Sequence, residues 1–426
     1  MLSLFRRVLN YFRNKSEARK GLCAVGRGYA LTSVNTSIFR KSSIISHGKS
    51  QYVSFYNAKG YVVLGKRNLG KRRWKLKRLP FKGKISDAHN VISIGIDGDG
   101  YLHIAYGMHN APLNYLRSES PGKMKMKIFD RCDGVEENRV TYPEFYTLPS
   151  GDLLFVYRSG SSGNGNMVVK RYRVKEKQWE TMHKSLIDGS GERNAYWQLC
   201  VDPRGVIHVS WVWRETNDVA TNHDLCYARS VDGGKTWQRS DGQNYRLPID
   251  EKNAEVVWSI PQNSELMNQT SMAADKEGNV FIATYWRDSD SSVPQYRVVW
   301  NKGRGWKMSQ AGERHTPFSL KGFGTKMVPI SRPVVLTRDN ELLLLFRDEE
   351  RGSKAALGVC ADIEKGEWKF RDITDFNVEA WEPSYDPELL KNSNILNVYI
   401  QTTYQGDEEK VADRGSKTTP VWIWQE

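Results

Sequence analysis

Large apolar residues alternate with polar ones along most of this chain in short runs, each preceded by a turn carrying Gly or Asn and closed by a polar residue. HGKSQYVSFYN (47–57), DGDGYLHIAYGMH (97–109), PSGDLLFVYR (149–158), PRGVIHVSWVWR (203–214), KEGNVFIATYWR (276–287), RDNELLLLFR (338–347) and NSNILNVYIQ (392–401) are seven copies of this pattern. Period-two alternation marks a half-buried strand. Between most copies a further strand ends in a turn and a Trp, at Trp74, Trp179, Trp237, Trp306 and Trp368. About four short strands per unit, repeated about every fifty to seventy residues, predict one all-β domain, a seven-bladed β-propeller over residues 21–426. An open ring would expose a strand edge, so the ends must share a sheet, and Ala30–Phe39 and Pro420–Trp424 are the expected closing strands.

One stretch concentrates candidate chemistry. In DAHNVISIGIDGDGYLHIAYGMHNAPLNYLRS (87–118), the runs His89–Asp97 and Tyr101–Gly107 flank the turn Asp97-Gly98-Asp99-Gly100 and predict a β-hairpin. His-Asn pairs, His89-Asn90 and His109-Asn110, stand at its two open ends, so pairing the strands brings both imidazoles to one end of the sheet. That arrangement suits proton transfer, and it equally suits strand-end histidines bonded to backbone.

The recurring strand ends on His109, Arg158, Arg214, Arg287 and Arg347 in consecutive units, at offsets of nine, seven, nine, nine and seven from Gly100, Gly151, Gly205, Gly278 and Asn340. All are odd, which puts the five on one sheet face and predicts a ring of cations at one end of a central channel. His89, Tyr142, Tyr196, Gln269 and Ser331 stand nine residues before Gly98, Gly151, Gly205, Gly278 and Asn340 and should face them. The loop SGSSGNGN (159–166) after Arg158 allows either close substrate approach or simple flexibility. Arg, Tyr and His without a carboxylate pair in the same register suit removal of a proton beside a neutralised carboxylate better than glycoside hydrolysis, which commonly uses two acids.

Lys and Arg exceed Asp and Glu by 63 to 49, a net charge of +14, so the protein's field favours anionic partners: nucleic acid, an anionic membrane face or an acidic polysaccharide. The excess reads as spread along the chain and no nucleic-acid module is present, which argues against nucleic acid. The strongest basic run, KRNLGKRRWKLKRL (66–79), reads as a solvated outer hairpin, with a polyanion contact as the alternative. Residues 1–20 predict a basic amphipathic helix with Leu2, Phe5, Leu9 and Phe12 on one face, packed on the body or resting peripherally on a membrane. Five widely spaced cysteines without a CxxC pair indicate neither a disulfide framework nor a zinc knuckle. No run approaches the roughly 18 apolar residues of a membrane span. Arg6, Arg7 and Arg13 interrupt any signal-peptide core, so the sequence by itself predicts a cytoplasmic protein.

Ser230-Val231-Asp232-Gly233-Gly234-Lys235-Thr236-Trp237 fits the Asp-box S-x-D-x-G-x-T-W, a structural hairpin in which Asp caps amides and Trp packs between strands. With this box, the segments DAHNVISIGIDGDGYLHIAYGMHN, VTYPEFYTLPSGDLLFVYRSGSSGNGN, AYWQLCVDPRGVIHVSW and NHDLCYARSVDGGKTW resemble the BNR-4 type seven-bladed propellers, a group that includes ulvan lyases and related enzymes acting on rhamnose–glucuronate linkages. The resemblance spans roughly residues 45–400. It implies a lyase site with Tyr142 as base, or as both base and acid, His89 and His109 sharing proton transfer and orientation, Arg158 neutralising the uronate, and Tyr196, Arg214 and His223 as further contacts; Asn90, Asn110, Arg287 and Arg347, at the hairpin end and in the strand register, complete the expected substrate contacts. It requires no cofactor, admits a structural divalent metal for which no ligand cluster stands out, and implies a secreted or periplasmic location. A hydrolase on this scaffold, sialidase-like or a rhamnosidase, and a non-catalytic binder of anionic glycans remain the alternatives. Oligomeric state is left open.

Overall fold

The computed structural model describes residues 21–129 and 132–426. The amphipathic segment expected over residues 1–20 lies outside these. The protein is all-β: among the described residues the one α-helix is the short segment Pro387–Ser393, and the rest is strand, turn and brief 3-10 turns. Among the described residues no helix is long and apolar enough to cross a membrane.

Most strands run antiparallel and pair with a chain neighbour; His109–Ala111 pairs instead with Val140–Thr147. Ile44–His47, Ser50–Tyr56, Tyr61–Asn68 and Lys75–Lys82 form a four-stranded sheet in chain order. Four-stranded sheets also arise from Ile92–Ile96, Leu102–Tyr106, Tyr115–Ser118 and Met126–Phe129, from Ser271–Ala274 through Trp306–Gln310, and from Val334–Arg338 through Trp368–Asp372. A nine-stranded sheet joins two further meanders, starting at Val140–Thr147 and Asn194–Val201, through a single parallel pairing of Gly165 with Asn194. Every strand recurring in the sequence pattern is the second of its meander, except the last copy. The strands before it, such as Ser271–Ala274 and Val334–Arg338, pack against one another across sheets, and cores of Val, Ile, Leu and Trp fill the spaces between.

The two ends of the described chain share a sheet, but not with the expected partner. Thr418–Gln425 pairs with Leu22–Tyr29 on one side and with Asn397–Gln401 on the other. Residues 30–39 instead leave the sheet, because LTSVNTS supplies its own caps. Thr32 accepts from the amide of Val34 and opens a 3-10 turn over Ser33–Asn35, and the buried Asn35 side chain donates to the carbonyls of Tyr29 and Tyr56. Side-chain bonding to local backbone competes here with the ladder and wins.

The Asp-box behaves as its residues require. Asp232 Oδ1 accepts from the amides of Lys235 and Thr236, both at 3.0 Å, and Trp237 is buried at 1% exposure in the core between meanders. Trp237→Ala is expected to cost about 3–5 kcal/mol through the cavity it leaves, measured as a lowered midpoint in denaturant unfolding. An unchanged midpoint would show that this hairpin is dispensable to the core.

Candidate active site

The hairpin forms with strands Ile92–Ile96 and Leu102–Tyr106. Its turn is closed by Asp97 Oδ1, which accepts from the amide of Tyr101 at 2.8 Å, while Asp97 Oδ2 lies 3.1 Å from the buried His103. At the open end the two imidazoles meet: His89 and His109 stack with centroids 4.1 Å apart and planes 15° from parallel. A residue not singled out from the sequence, Asp87, holds both. Its Oδ1 lies 2.9 Å from His89 Nδ1 and its Oδ2 2.8 Å from His109 Nδ1. A carboxylate accepts, so both Nδ1 atoms carry hydrogen and each ring keeps Nε2 for other work. Burial disfavours charge on Asp87, yet the hydrogen bonds from His109 and His89 outweigh it and hold its carboxyl well below the usual range.

His89 has a second carboxylate. Glu409 Oε2 sits 3.2 Å from Nδ1, while its Oε1 accepts from the amide and hydroxyl of Thr325 at 3.0 and 3.1 Å. Burial opposes protonation of His89, but hydrogen bonds to Asp87 and Glu409 raise its pKa to about 9, so the ring is an imidazolium at neutral pH. Phe39 covers its other face, with centroids 4.7 Å apart.

Tyr142 reaches the same place by a backbone irregularity. The register between Val140–Thr147 and Leu153–Ser161 slips between Thr141 and Glu144, and Tyr142 sits at φ +58°, a left-handed conformation costly for an aromatic residue. The slip turns its ring between Phe39, His89 and Tyr196, at centroid distances of 4.9, 5.8 and 6.1 Å. Arg158 lies over it, Cζ 4.8 Å from the ring centroid. Burial pushes the Tyr142 phenol above its ordinary range. Tyr196 responds in the opposite direction. Burial raises its pKa, but the positive charges of Arg214 and Arg158 outweigh it and bring the phenol down to about 7. Ser162, from the Gly/Ser loop, is 3.4 Å from the Tyr196 hydroxyl.

Arg158 is 1% exposed, and among the described residues only Nη2 finds an acceptor, Thr141 Oγ1 at 3.4 Å; Nε and Nη1 are buried with none. Gln269, in the same register, also carries an unpartnered buried side-chain oxygen among the described residues. The remaining arginines differ. Arg214 donates to the carbonyls of Thr216 and Asn217, Arg287 to those of Asp288, Ser291 and Asn263, and Arg347 to those of Trp381, Pro329 and Val328. They occupy matching strand ends, as the offsets require, but the ring of cations is mostly a set of loop clamps. Arg214 still bears on the site through Tyr196, its Cζ 5.7 Å from that ring. His223 has both ring nitrogens engaged, with Glu215 at 2.8 Å and Asp224 at 3.1 Å, and does not join the His89 cluster. Asn90 is buried beside the pair, and Asn110 takes the amide bond to Thr141 Oγ1 at 2.7 Å and accepts from Arg139. Ser331 Oγ accepts from the Arg347 amide.

Asp87, His89 and His109 are close enough to ligate one ion, as are Glu215, His223 and Glu251. The second set already faces a cation, because Arg193 lies 2.9 Å from Glu215 and 3.2 Å from Glu251. In the first, both Nδ1 atoms are donors to Asp87, which leaves no lone pair there for a metal. A cavity of about 460 Å³ opens at the far end of the inner strands, lined by Tyr146, Cys200, Ala274, Leu336 and Tyr385; it contains none of the clustered residues.

Meanders of this length with an Asp-box hairpin define a BNR-type β-sheet protein. The sequence profile of the BNR repeat-containing family matches residues 50–314, and the chain belongs to that family. It is 25% identical over 284 residues to the short isoform of ulvan lyase from Alteromonas sp. (strain LOR), covering 50% of this chain and 52% of that protein. The long isoform from Pseudoalteromonas sp. (strain PLSV) is 26% identical over 181 residues, 38% of this chain and 18% of that protein. The chain thus spans about half the length of the first relative and less of the second. Among solved structures, the polysaccharide lyase Uly1 superposes with a TM-score of 0.68 at 14% identity, covering 95% of this chain and 98% of that one. An ulvan lyase of family PL25, bound to -[GlcA(1-4)Rha3S]-, gives 0.63 at 15%, covering 93% and 97%. At these identities the superpositions establish a shared fold.

Proposed function

We propose that the protein is a polysaccharide lyase that cleaves an anionic, uronate-containing glycan of the ulvan kind, glucuronate linked to rhamnose, by β-elimination. The observation that carries this reading is Arg158, whose two unpartnered buried N–H groups stand beside a phenol at about 7 and a carboxylate-bound imidazole pair. A carboxylate is the acceptor this guanidinium fits, because Nε or Nη1 together with Nη2, held only at 3.4 Å by Thr141, presents a paired fork to its two oxygens. Held there, the uronate stabilises the enolate that develops when C5–H is removed. The Tyr196 phenolate takes that proton, the C4–O bond breaks with its electron pair on the leaving oxygen, and the neutral Tyr142 phenol or the His89 imidazolium returns a proton to it. A C4=C5 double bond conjugated to the carboxylate remains. The role of base passes from Tyr142 to Tyr196 because burial raises the first phenol and two arginines lower the second. Asp87 and Glu409 act through the imidazoles and are positioning residues.

The same proposal includes a closed ring of seven meanders. Support comes from the four free-standing four-stranded sheets, the two meanders within the nine-stranded sheet, and the pairing of Leu22–Tyr29 with Thr418–Gln425.

The test is incubation of the full chain with ulvan, following the ultraviolet absorbance of an unsaturated uronate. A rise is expected. New reducing ends without it would replace the lyase by a hydrolase on this scaffold, and binding with neither signal would leave a glycan-binding protein.

A further inference from the structure

The net charge of +14 is not spread along the chain. Residues 21–86 contain fifteen Lys and Arg and no Asp or Glu, while residues 87–426 hold more acids than bases. The expectation of a diffuse field is therefore corrected: most of the cation excess in the described chain sits in the segment that builds the sheet Ile44–Lys82. Among the described residues none of these cations makes an ion pair; the nearest lysine that does, Lys125 with Glu119, belongs to the next sheet.

Most of them crowd the hairpin that ends in the strand Lys75–Lys82. Lys71, Arg73, Lys75, Lys77, Lys82 and Lys84 are exposed, and the strand is the outermost of its sheet. Two heads are held in place: Arg78 and Lys82 lie 4.6 and 4.5 Å from the Tyr61 ring centroid. The surface continues onto the neighbouring sheet, because the Gly122 carbonyl accepts from Lys66 Nζ at 2.8 Å and from the Tyr52 hydroxyl at 3.1 Å, which seats the turn bearing Lys123 against this sheet. The strand also has a direction. Eight residues extend about 26 Å, and its end at Lys82 is followed through Lys84 by Asp87, the carboxylate that holds both imidazoles.

We propose that the Lys71–Lys84 hairpin is a cationic rail that binds a linear polyanionic polysaccharide, bearing carboxylates or sulfates, and leads it toward the Asp87–His89 end of the sheet. This rests on the lyase reading for the identity of the polymer. The rail's chemistry favours a glycan over other polyanions. Trp74 is half-buried under Arg67, and Tyr61 is covered by two cations, so no open aromatic platform offers bases a stack. Leu76, at 41% exposure, is the only large exposed apolar side chain on it, too little to insert into a bilayer.

The test compares the wild type, the triple variant Lys75→Gln, Lys77→Gln, Lys82→Gln, and a control triple at exposed lysines elsewhere, Lys235→Gln, Lys365→Gln, Lys369→Gln. Equilibrium binding to long-chain ulvan is measured at low and about 1 M salt, with short duplex DNA and anionic vesicles as further probes. The rail variant is expected to bind ulvan about tenfold more weakly at low salt, with the difference gone at high salt, where screening is nearly complete. Its kcat on a short ulvan oligosaccharide should equal that of wild type. Unchanged ulvan binding, an equal loss in the control, or tighter binding of DNA or vesicles through the same three lysines would overturn the proposal. Because binding is read without turnover, a wild type that binds ulvan through the rail yet forms no unsaturated product would sink the lyase reading and leave the rail standing.

Discussion

Arg158→Met should lower kcat on a uronate polysaccharide by about 10²–10³-fold and leave the melting temperature unchanged or raised. The two halves of this result have one cause. Nε and Nη1 of Arg158 are buried without protein acceptors, a cost of about 1–3 kcal/mol for each group left so. Met fills similar space without that cost, retains contact with the Tyr142 ring and cannot hold a carboxylate. Arg158→Lys keeps the charge but not the planar fork, and should recover only a small part of the rate. The measurements are steady-state kinetics and thermal unfolding on the same preparations. Full activity in the Met variant would remove Arg158 from the mechanism; a large fall in melting temperature would show that its donors have partners after all.

The second large effect concerns Tyr196. Tyr196→Phe is expected to reduce kcat by about 10²–10⁴-fold. The pH profile of the wild type carries the sharper test. A base must be deprotonated to work, so activity should rise with pH through about 7, where the Tyr196 phenol ionises. It should fall again as the His89 imidazolium loses its proton at about 9. Arg214 makes the largest favourable contribution to lowering Tyr196, so Arg214→Gln should move the rising limb to higher pH while the falling limb stays. A rising limb that does not move would assign it to another group.

Much of this site follows from short-range pattern. The turn at Asp97–Gly100 fixes the hairpin register, which sets His89 opposite His109, and the pairing of His109 with Thr141 and the bonds to Asp87 complete the contact. The Asp-box likewise needs only local contacts. Asp87 was within reach of the same logic, two residues before His89 at the open end, but a carboxylate beside a strand reads equally well as a cap. The arginines show where periodicity stops: odd offsets give the face of a strand, whereas the acceptors are loop carbonyls, those of Asp288, Ser291 and Asn263 around Arg287 and those of Val328, Pro329 and Trp381 around Arg347. Tyr142 is a related case. Its placement depends on a slip in register at Thr141–Glu144 that interrupts the alternation, and its acidity depends on burial that no local pattern states. The substitution of Leu22–Tyr29 for Ala30–Phe39 in the terminal sheet arises because a Ser/Thr/Asn run offers its own amides better partners than a ladder does.

Glu409 was the least legible of these residues, lying 320 positions from the imidazole it binds. That separation sets an order of events on the ribosome. Asp87, His89, His109, Tyr142, Arg158 and Tyr196 all emerge before Glu409, and the meanders carrying them can pair as they appear. Throughout that time His89 has one carboxylate instead of two, and the strand Leu22–Tyr29 waits for Thr418–Gln425. A nascent or truncated chain therefore carries the full set of proton-transfer side chains without the second acid that sustains the imidazolium. Glu409 thus ties the charge state of His89 to a residue made long after the imidazole itself.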